Sequence, residues 1–125
     1  MDKRILIIDD EEDFCFFVKE NLEAISNYEI ITANKGKKGI QIARKEKPDL
    51  ILLDITMPGI DGFEVLKRLK GNEKTQNIPV IMFTAKDEDE AKIKASGLYC
   101  EDYLVKPVEK LVLRAKIHKV LSLRI

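Results

Sequence analysis

The sequence lacks the features that would place the protein in a membrane or outside the cell. Its 125 residues contain no apolar run near the roughly 20 residues that span a bilayer. Lys3 and Arg4 are followed by only four apolar residues, which is too few for a signal peptide. We therefore expect one soluble domain, residues 1–125, in the cytoplasm, with about two thirds of its unfolded surface buried.

Net charge and reactive side chains are also scarce. The 22 acidic residues cancel the 22 basic ones, so no overall field favours nucleic acid or an anionic membrane as partner. Cys15 and Cys100 form no CxxC motif, which favours two reduced, inert thiols. His118, the only histidine, lies off the apolar stripe of its helix and is expected in solvent. The GKKG segment at 36–39 lacks the full phosphate-loop pattern and predicts a turn that opens a helix.

What the sequence does contain is a regular alternation of strand and helix patterns. Continuous apolar or β-branched runs predict strands at 5–8, 28–33, 50–53, 79–84 and 103–105. Apolar residues at helical spacing predict helices at 12–25, 37–47, 61–69 with Asp61 as cap, from the acidic segment 87–91, and from about Val108 to Leu123. Because the strands are apolar on both faces, we predict an α/β fold with helices on both sides of a parallel sheet.

Polar residues follow the ends of four of these strands. Ligands of such sheets bind beyond the carboxyl ends of the strands, so we expect these side chains on one rim. In chain order the residues at these strand ends are Asp9, Asp10, Glu11, Asp54, Thr84, Ala85, Lys106 and Pro107, and most of them are polar.

The carboxylates on this rim would repel one another unless a cation lay between them. Asp10, Asp54 and a backbone carbonyl near Thr56 offer oxygen ligands for a hard ion, and Asp9 or Glu11 could reach it through water. Mg²⁺ suits such a site because it takes one or two carboxylates, keeps several waters and completes its shell with phosphate oxygens. A metal and a lysine around one carboxylate, with a hydroxyl nearby, are the parts needed to attack a phosphoryl group.

Four segments together carry a resemblance to a known family. They are ILIIDDE, DLILLDITMPGIDG, PVIMFTA and DYLVKP. With these motifs, the chain resembles the receiver domain of response regulators, the phosphoacceptor module of two-component signalling, over essentially its whole length. The resemblance implies a doubly wound, flavodoxin-like (βα)5 fold with five parallel strands in the order 2-1-3-4-5.

The resemblance also assigns roles to the rim residues. It implies that Asp54 accepts a phosphoryl group from a histidine kinase or a histidine phosphotransfer protein. Asp10 would bind Mg²⁺ directly and Asp9 would help through water. Lys106 would pair with the phosphoryl group, and Thr84 would donate a hydrogen bond to it.

A switch and an output surface are implied in the same way. Tyr103 would swing inward with Thr84, and the bond between Lys106 and Pro107 would be cis. An effector or a second copy would bind through the fourth helix, the fifth strand and the fifth helix. Lys86, two residues beyond Thr84, could obstruct the attacking water, so we predict that Lys86→Ala speeds loss of the phosphoryl group.

Simpler interpretations of single residues stay open. Asp9 and Asp10 could cap the first helix, Thr84 could be an ordinary strand-end hydroxyl, and Tyr103 could be a static core ring. A degenerate receiver that docks partners without phosphorylation is the main alternative function, although the complete acceptor set argues against it. An aspartyl-phosphate hydrolase would carry an acid where Thr56 stands, and the DDEED segment would repel a flavin phosphate.

The first predicted helix has one aromatic residue on the wrong side. Phe14, Phe17 and Val18 gather with other apolar residues on one side, whereas Phe16 shares the opposite side with Lys19. Phe16 is therefore expected in solvent. In relatives, the exposed side of this helix helps to dock the phosphodonor, so Phe16 is a candidate anchor for that partner.

Overall fold

Strands and helices alternate along the chain, as the sequence pattern predicts. The computed structural model describes residues 3–24, 28–85, 97 and 99–123. These residues form β1 (Lys3–Ile8), α1 (Glu12–Glu23), β2 (Tyr28–Ala33), α2 (Gly36–Glu46), β3 (Leu50–Asp54), α3 (Gly62–Lys70), β4 (Val80–Thr84), β5 (Asp102–Val105) and α4 (Lys110–Ser122). The helix predicted from 87–91 lies outside the described residues, as does Lys86. In the described part of the chain, no helix combines the length and the apolar character that crossing a membrane requires.

The five strands form one parallel sheet in the order β2-β1-β3-β4-β5. This order confirms the predicted doubly wound topology. The register places Asp54 opposite Phe83 and Thr84 opposite Val105, so the ends of β3, β4 and β5 lie side by side. Residues that follow these strands are therefore close in space although they are far apart in the sequence.

Alternate residues of the buried strands point to opposite sides of the sheet and build two apolar clusters. On one side, Leu6 and Leu53 pack with residues of α2 and α3, which we call the α2–α3 layer. On the other side, Leu52 and Phe83 pack with residues of α1 and α4, which we call the α1–α4 layer. Both sides of β3 and β4 are thus covered, which explains why these strands read as continuous apolar runs.

Two local predictions about the helices need correction. Phe17 was expected on the buried side of α1, but its side chain is 38% exposed and lies against a cavity beside Pro107 and Val108. The last helix begins at Lys110, two residues after the predicted start near Val108. The backbone of Glu109 is extended, and Val108 packs against the cluster of the α1–α4 layer.

The loop after β3 is held close to the end of that strand. Asp61 caps α3 as predicted, because its carboxylate accepts a hydrogen bond of 3.0 Å from the backbone N–H of Glu64. The N–H of Gly62 donates to the carbonyl of Ile55 at 2.7 Å. A Cβ atom at Gly62 would lie 2.3 Å from the backbone carbonyl oxygen of Asp54. Only glycine permits this approach without a shift of the strand end.

Candidate functional site

The carboxyl ends of the strands bring the predicted rim residues together. Asp9 extends β1, since its N–H donates to the carbonyl of Ala33 at 3.0 Å. Asp54 is the last residue of β3, and Thr84 is the last residue of β4. The N–H of Lys106 donates to the carbonyl of Thr84 at 2.7 Å, which anchors the residue after β5 to the neighbouring strand. Four separate segments therefore contribute to one site.

Lys106 lies among three carboxylates. Its Nζ atom is 2.8 Å from Asp9 Oδ2, 2.8 Å from Glu11 Oε1 and 3.6 Å from Asp54 Oδ1. The ammonium also lies over the ring of Phe14, 4.3 Å from the ring centroid. Only 15% of the lysine side chain is exposed, so these ion pairs are screened less than surface pairs.

The environment of Asp54 disfavours its charged form. Burial, followed by the nearby charge of Asp9, raises the pKa of the Asp54 carboxyl to about 7. The charge of Lys106 and a backbone hydrogen bond from Thr56 act in the opposite direction without offsetting the burial. The site therefore holds a carboxylate that a further cation would stabilise.

The partners of Asp54 are shifted for related reasons. Burial raises the pKa of Asp9, while the hydrogen bond from Lys106 opposes that rise. For Lys106, burial alone would lower the pKa, but hydrogen bonds to Asp9 and Glu11 raise it above the ordinary lysine value. Lys106 is thus a fixed positive charge at neutral pH.

The same carboxylates have the chemistry of a divalent metal site. Oxygen atoms of Asp9, Glu11 and Asp54 all lie within 4.8 Å of one another. Carboxylate oxygens are the ligands that Mg²⁺ prefers, so the donor set fits this ion. Asp10 is not in this oxygen cluster: it is exposed and lines a neighbouring cavity with Lys35. Its role as a direct ligand stays a prediction.

Thr84 carries a buried hydroxyl at the end of β4. Its Oγ1 atom makes no hydrogen bond within the described residues. A buried polar group left in this way costs about 1–3 kcal/mol, and such groups usually have a partner. A hydroxyl at the end of the strand beside Asp54 is placed to bond a group attached there.

The remaining predicted residues surround this centre. Tyr103 is half-buried and packs against the cluster of the α2–α3 layer. Ala85 and Pro107 are exposed beside a cavity of about 600 Å³. The bond between Lys106 and Pro107 is cis, as the resemblance implies. Phe16 is 63% exposed, as the helical pattern predicts, and His118 is exposed as well.

Sequence reasoning missed two contacts of Lys106. Glu11 was expected to reach a metal through water, and the structure adds a direct ion pair between Glu11 and Lys106. Phe14 was placed with the apolar side of its helix, and its ring also faces the lysine ammonium. Glu11 and Phe14 both lie within four residues after Asp10, where a helix begins next to the rim. This position is the sequence signal that could have predicted their contacts with Lys106.

Comparisons with known proteins agree with this geometry. The model of the response regulator receiver domain family matches residues 5–118. The alkaline phosphatase synthesis transcriptional regulatory protein PhoP of Bacillus subtilis is 40% identical over 97% of this chain, which spans 49% of PhoP. Protein PilH of Pseudomonas aeruginosa is 38% identical over 95% of this chain and 98% of PilH.

The fold has solved counterparts as well. The chemotaxis protein CheY4 of Vibrio cholerae superposes with a TM-score of 0.85 at 28% identity. That match covers 96% of this chain and 99% of CheY4. The chain is therefore similar in length to PilH and CheY4, but it spans only about half of PhoP.

Proposed function

The chain belongs to the response regulator receiver family, and from this premise we propose that Asp54 accepts a phosphoryl group in a Mg²⁺-dependent reaction. The donor is a histidine kinase or a histidine phosphotransfer protein, and all 125 residues act as one receiver domain. The observation that carries the proposal is the buried carboxylate of Asp54, with Lys106 3.6 Å away. The hydroxyl of Thr84, which has no hydrogen-bond partner among the described residues, lies on the neighbouring strand.

The side chains suit an in-line transfer. One oxygen of Asp54 attacks the phosphorus atom, and the bond from phosphorus to the donor nitrogen or oxygen breaks with its electron pair leaving on the donor. Lys106 lies where it can pair with the phosphoryl oxygens that replace its contact with Asp54. The Thr84 hydroxyl supplies a hydrogen-bond donor to the same group.

The metal would be held by the clustered carboxylates. Asp9 and Asp54 belong to the oxygen cluster, and Asp10 and the backbone carbonyl of Thr56 are the further predicted ligands. When bound, Mg²⁺ would neutralise the charge on the phosphoryl oxygens. Asp9 and Glu11 also pair with Lys106, so the same carboxylates serve the two cations.

The output surface is proposed on β5 and α4, together with the helix predicted before β5. Val105 on β5, and Leu111 and Val112 on α4, are large apolar residues that remain exposed. An effector or a second copy that binds after phosphorylation would cover them. Movement of Tyr103, which lies on β5, is the proposed link between the site and this surface.

Phosphorylation of the isolated domain tests the proposal directly. Wild-type protein incubated with Mg²⁺ and acetyl phosphate should gain the mass of one phosphoryl group, and chelation of Mg²⁺ should prevent this gain. Asp54→Asn should gain nothing. Asp61→Asn is the matched control, because asparagine still caps a helix and one carboxylate is lost away from the site.

Two results would contradict the proposal. Equal labelling of the Asp54→Asn variant would place the phosphoryl group elsewhere. A wild-type protein that stays unlabelled, yet binds its partner equally well with and without the phosphodonor, would favour the degenerate receiver.

A further inference from the structure

Lys106 has an aromatic partner as well as its carboxylates. Its Nζ atom lies 4.3 Å from the centroid of the Phe14 ring. A cation over the face of a ring at this distance is attracted by the ring quadrupole, and the attraction increases when the cation is shielded from water. The ammonium is therefore bounded by carboxylates and by the face of this ring.

The Phe14 ring is itself held by the core. It meets Phe83 edge to face, with centroids 5.0 Å apart and an angle of 83° between the ring planes. Phe83 is fully buried and is the register partner of Asp54 in the sheet. Its carbonyl also accepts a hydrogen bond of 3.0 Å from the N–H of Ile55. A short chain of contacts thus links Asp54 to Phe83, to Phe14 and to the ammonium.

The carboxylates alone constrain the ammonium less well. Glu11 is 62% exposed, and a long exposed side chain loses rotamer entropy when it holds an ion pair. Asp9 is buried and close, but it attracts the ammonium toward β1. Asp54 is farther, at 3.6 Å. The ring is the rigid wall on the side of the cavity that Phe14 lines.

We propose that Phe14 is a positioning residue for the phosphoacceptor reaction, because its ring confines the ammonium of Lys106 beside Asp54. The expected effect on the reaction rests on the proposed function, whereas the contact between the Phe14 ring and the Lys106 ammonium does not depend on it. Without the ring, the ammonium follows Glu11 toward solvent and meets the incoming phosphoryl oxygens less often. The reaction at Asp54 then slows while the fold is retained.

Nuclear magnetic resonance tests the contact separately from the reaction. The ε-methylene protons of Lys106 lie next to the ammonium and should resonate upfield of those of exposed lysines, because the ring current of Phe14 shields them. The upfield shift should disappear in Phe14→Leu and remain in Phe17→Leu. Phe17 is the matched control because it stacks near Phe14, with centroids 6.4 Å apart, and lines the same cavity. Wild-type protein without an upfield shift would overturn the proposal.

Kinetics with acetyl phosphate and Mg²⁺ test the consequence. Phe14→Leu keeps an apolar side chain but removes the ring, and it should slow phosphorylation about five-fold. Phe14→Tyr restores a ring and should recover the wild-type rate, whereas Phe17→Leu should leave that rate unchanged. Equal slowing by the two leucine variants, or no recovery with tyrosine, would assign Phe14 to packing alone. Failure of wild-type protein to react at all would reject the proposed function and leave the ring contact to be judged by its chemical shift.

Discussion

The two helical layers of this protein differ in the apolar surface that they leave in solvent. Among the described residues, the large hydrophobic side chains that remain exposed include Phe16 and Phe17 on α1, and Leu111 and Val112 on α4. None of the exposed set lies on α2 or α3. The α2–α3 layer is also closely packed, since a Cβ atom at Gly39 would lie 2.5 Å from the side chain of Ile8.

This difference separates stability from recognition. Helices that follow their amphipathic pattern strictly bury their apolar side chains against the sheet, so few apolar side chains remain exposed for a partner to bind. The α1–α4 layer retains apolar side chains that packing against the sheet does not require. Such residues on a surface near a functional site are available for binding. Both layers bury an apolar core, so we expect both to support folding and the α1–α4 layer also to govern exchange with partners.

The largest expected effect is a loss of stability when a buried residue of the α2–α3 layer is truncated. Leu66→Ala, in α3, removes a fully buried side chain and should lower the free energy of unfolding by about 3 kcal/mol. Leu111→Ala, in α4, removes a side chain that is 60% exposed and should change it by less than about 0.5 kcal/mol. Urea unfolding followed by circular dichroism measures both. Similar losses in the two variants would show that Leu111 is part of the core and is not available to a partner.

A second effect concerns the rim, where the buried negative charge of Asp54 lowers the stability of the fold. The pKa of Asp54 rises from 3.8 to about 7, chiefly through burial, so the folded state holds its proton more tightly than the unfolded state. The contribution of Asp54 to stability is therefore fully present below its unfolded pKa and is lost as the pH rises through about 7. Asp54→Asn cannot ionise, so it avoids the cost of the buried charge and should be more stable than wild type at pH 8.

Thermal unfolding between pH 4 and pH 8 provides the measurement. The advantage of Asp54→Asn should shrink as the pH falls, and Mg²⁺ should reduce it at pH 8 by stabilising the wild-type carboxylate. Asp61→Asn again serves as the control, with no comparable gain. A variant that is less stable than wild type at pH 8 would mean that the pairing with Lys106 outweighs the burial of the charge.

The smallest expected effect tests whether the exposed aromatic residue of the α1–α4 layer binds the phosphodonor. Phe16→Ala should slow transfer from a phosphorylated histidine phosphotransfer protein about ten-fold, because an exposed aromatic at an interface is a typical hot spot. Phosphorylation by acetyl phosphate should not change. Leu123→Ala removes another exposed apolar residue, just past α4 at the end away from the rim, and should not affect either reaction. Slowing with both donors would place Phe16 in the acceptor chemistry instead.

The sequence predicted the fold because its local patterns agree with one another. Apolar runs such as Leu50–Leu53 identify the buried strands, and Asp61 identifies the start of α3 by its capping chemistry. The positions of Asp54 and Lys106 followed from the rule that residues after parallel strands share a rim. The strands and the helix cap depend on residues close together in the chain. The shared rim depends on the order of strands and helices, which these local patterns also indicate.

The contacts that the sequence did not predict depend on which residues from distant parts of the chain surround a side chain. The direction in which that side chain leaves its helix does not determine them. A helical pattern gives the angle of Phe17 around α1, but α1 begins beside the rim, so this ring lies over a cavity and not over the sheet. The same geometry brings Phe14 to Lys106 from 92 positions earlier in the chain, a contact that no local pattern encodes. Long-range placement of single side chains therefore had to come from the structure.

The missing side chain at Gly62 has a consequence for the redesign of this protein. The segment between β3 and α3 offers room at Gly59, where a Cβ atom would meet nothing within 4 Å, although its φ of +81° favours glycine. Gly62 offers no room, because a Cβ atom there would press on the carbonyl of Asp54 itself. A graft or insertion in this segment can therefore vary the residues around 59, but it must deliver the chain to a glycine at 62. The absence of a Cβ atom at Gly62 therefore limits how far the loop can be changed while Asp54 keeps its place.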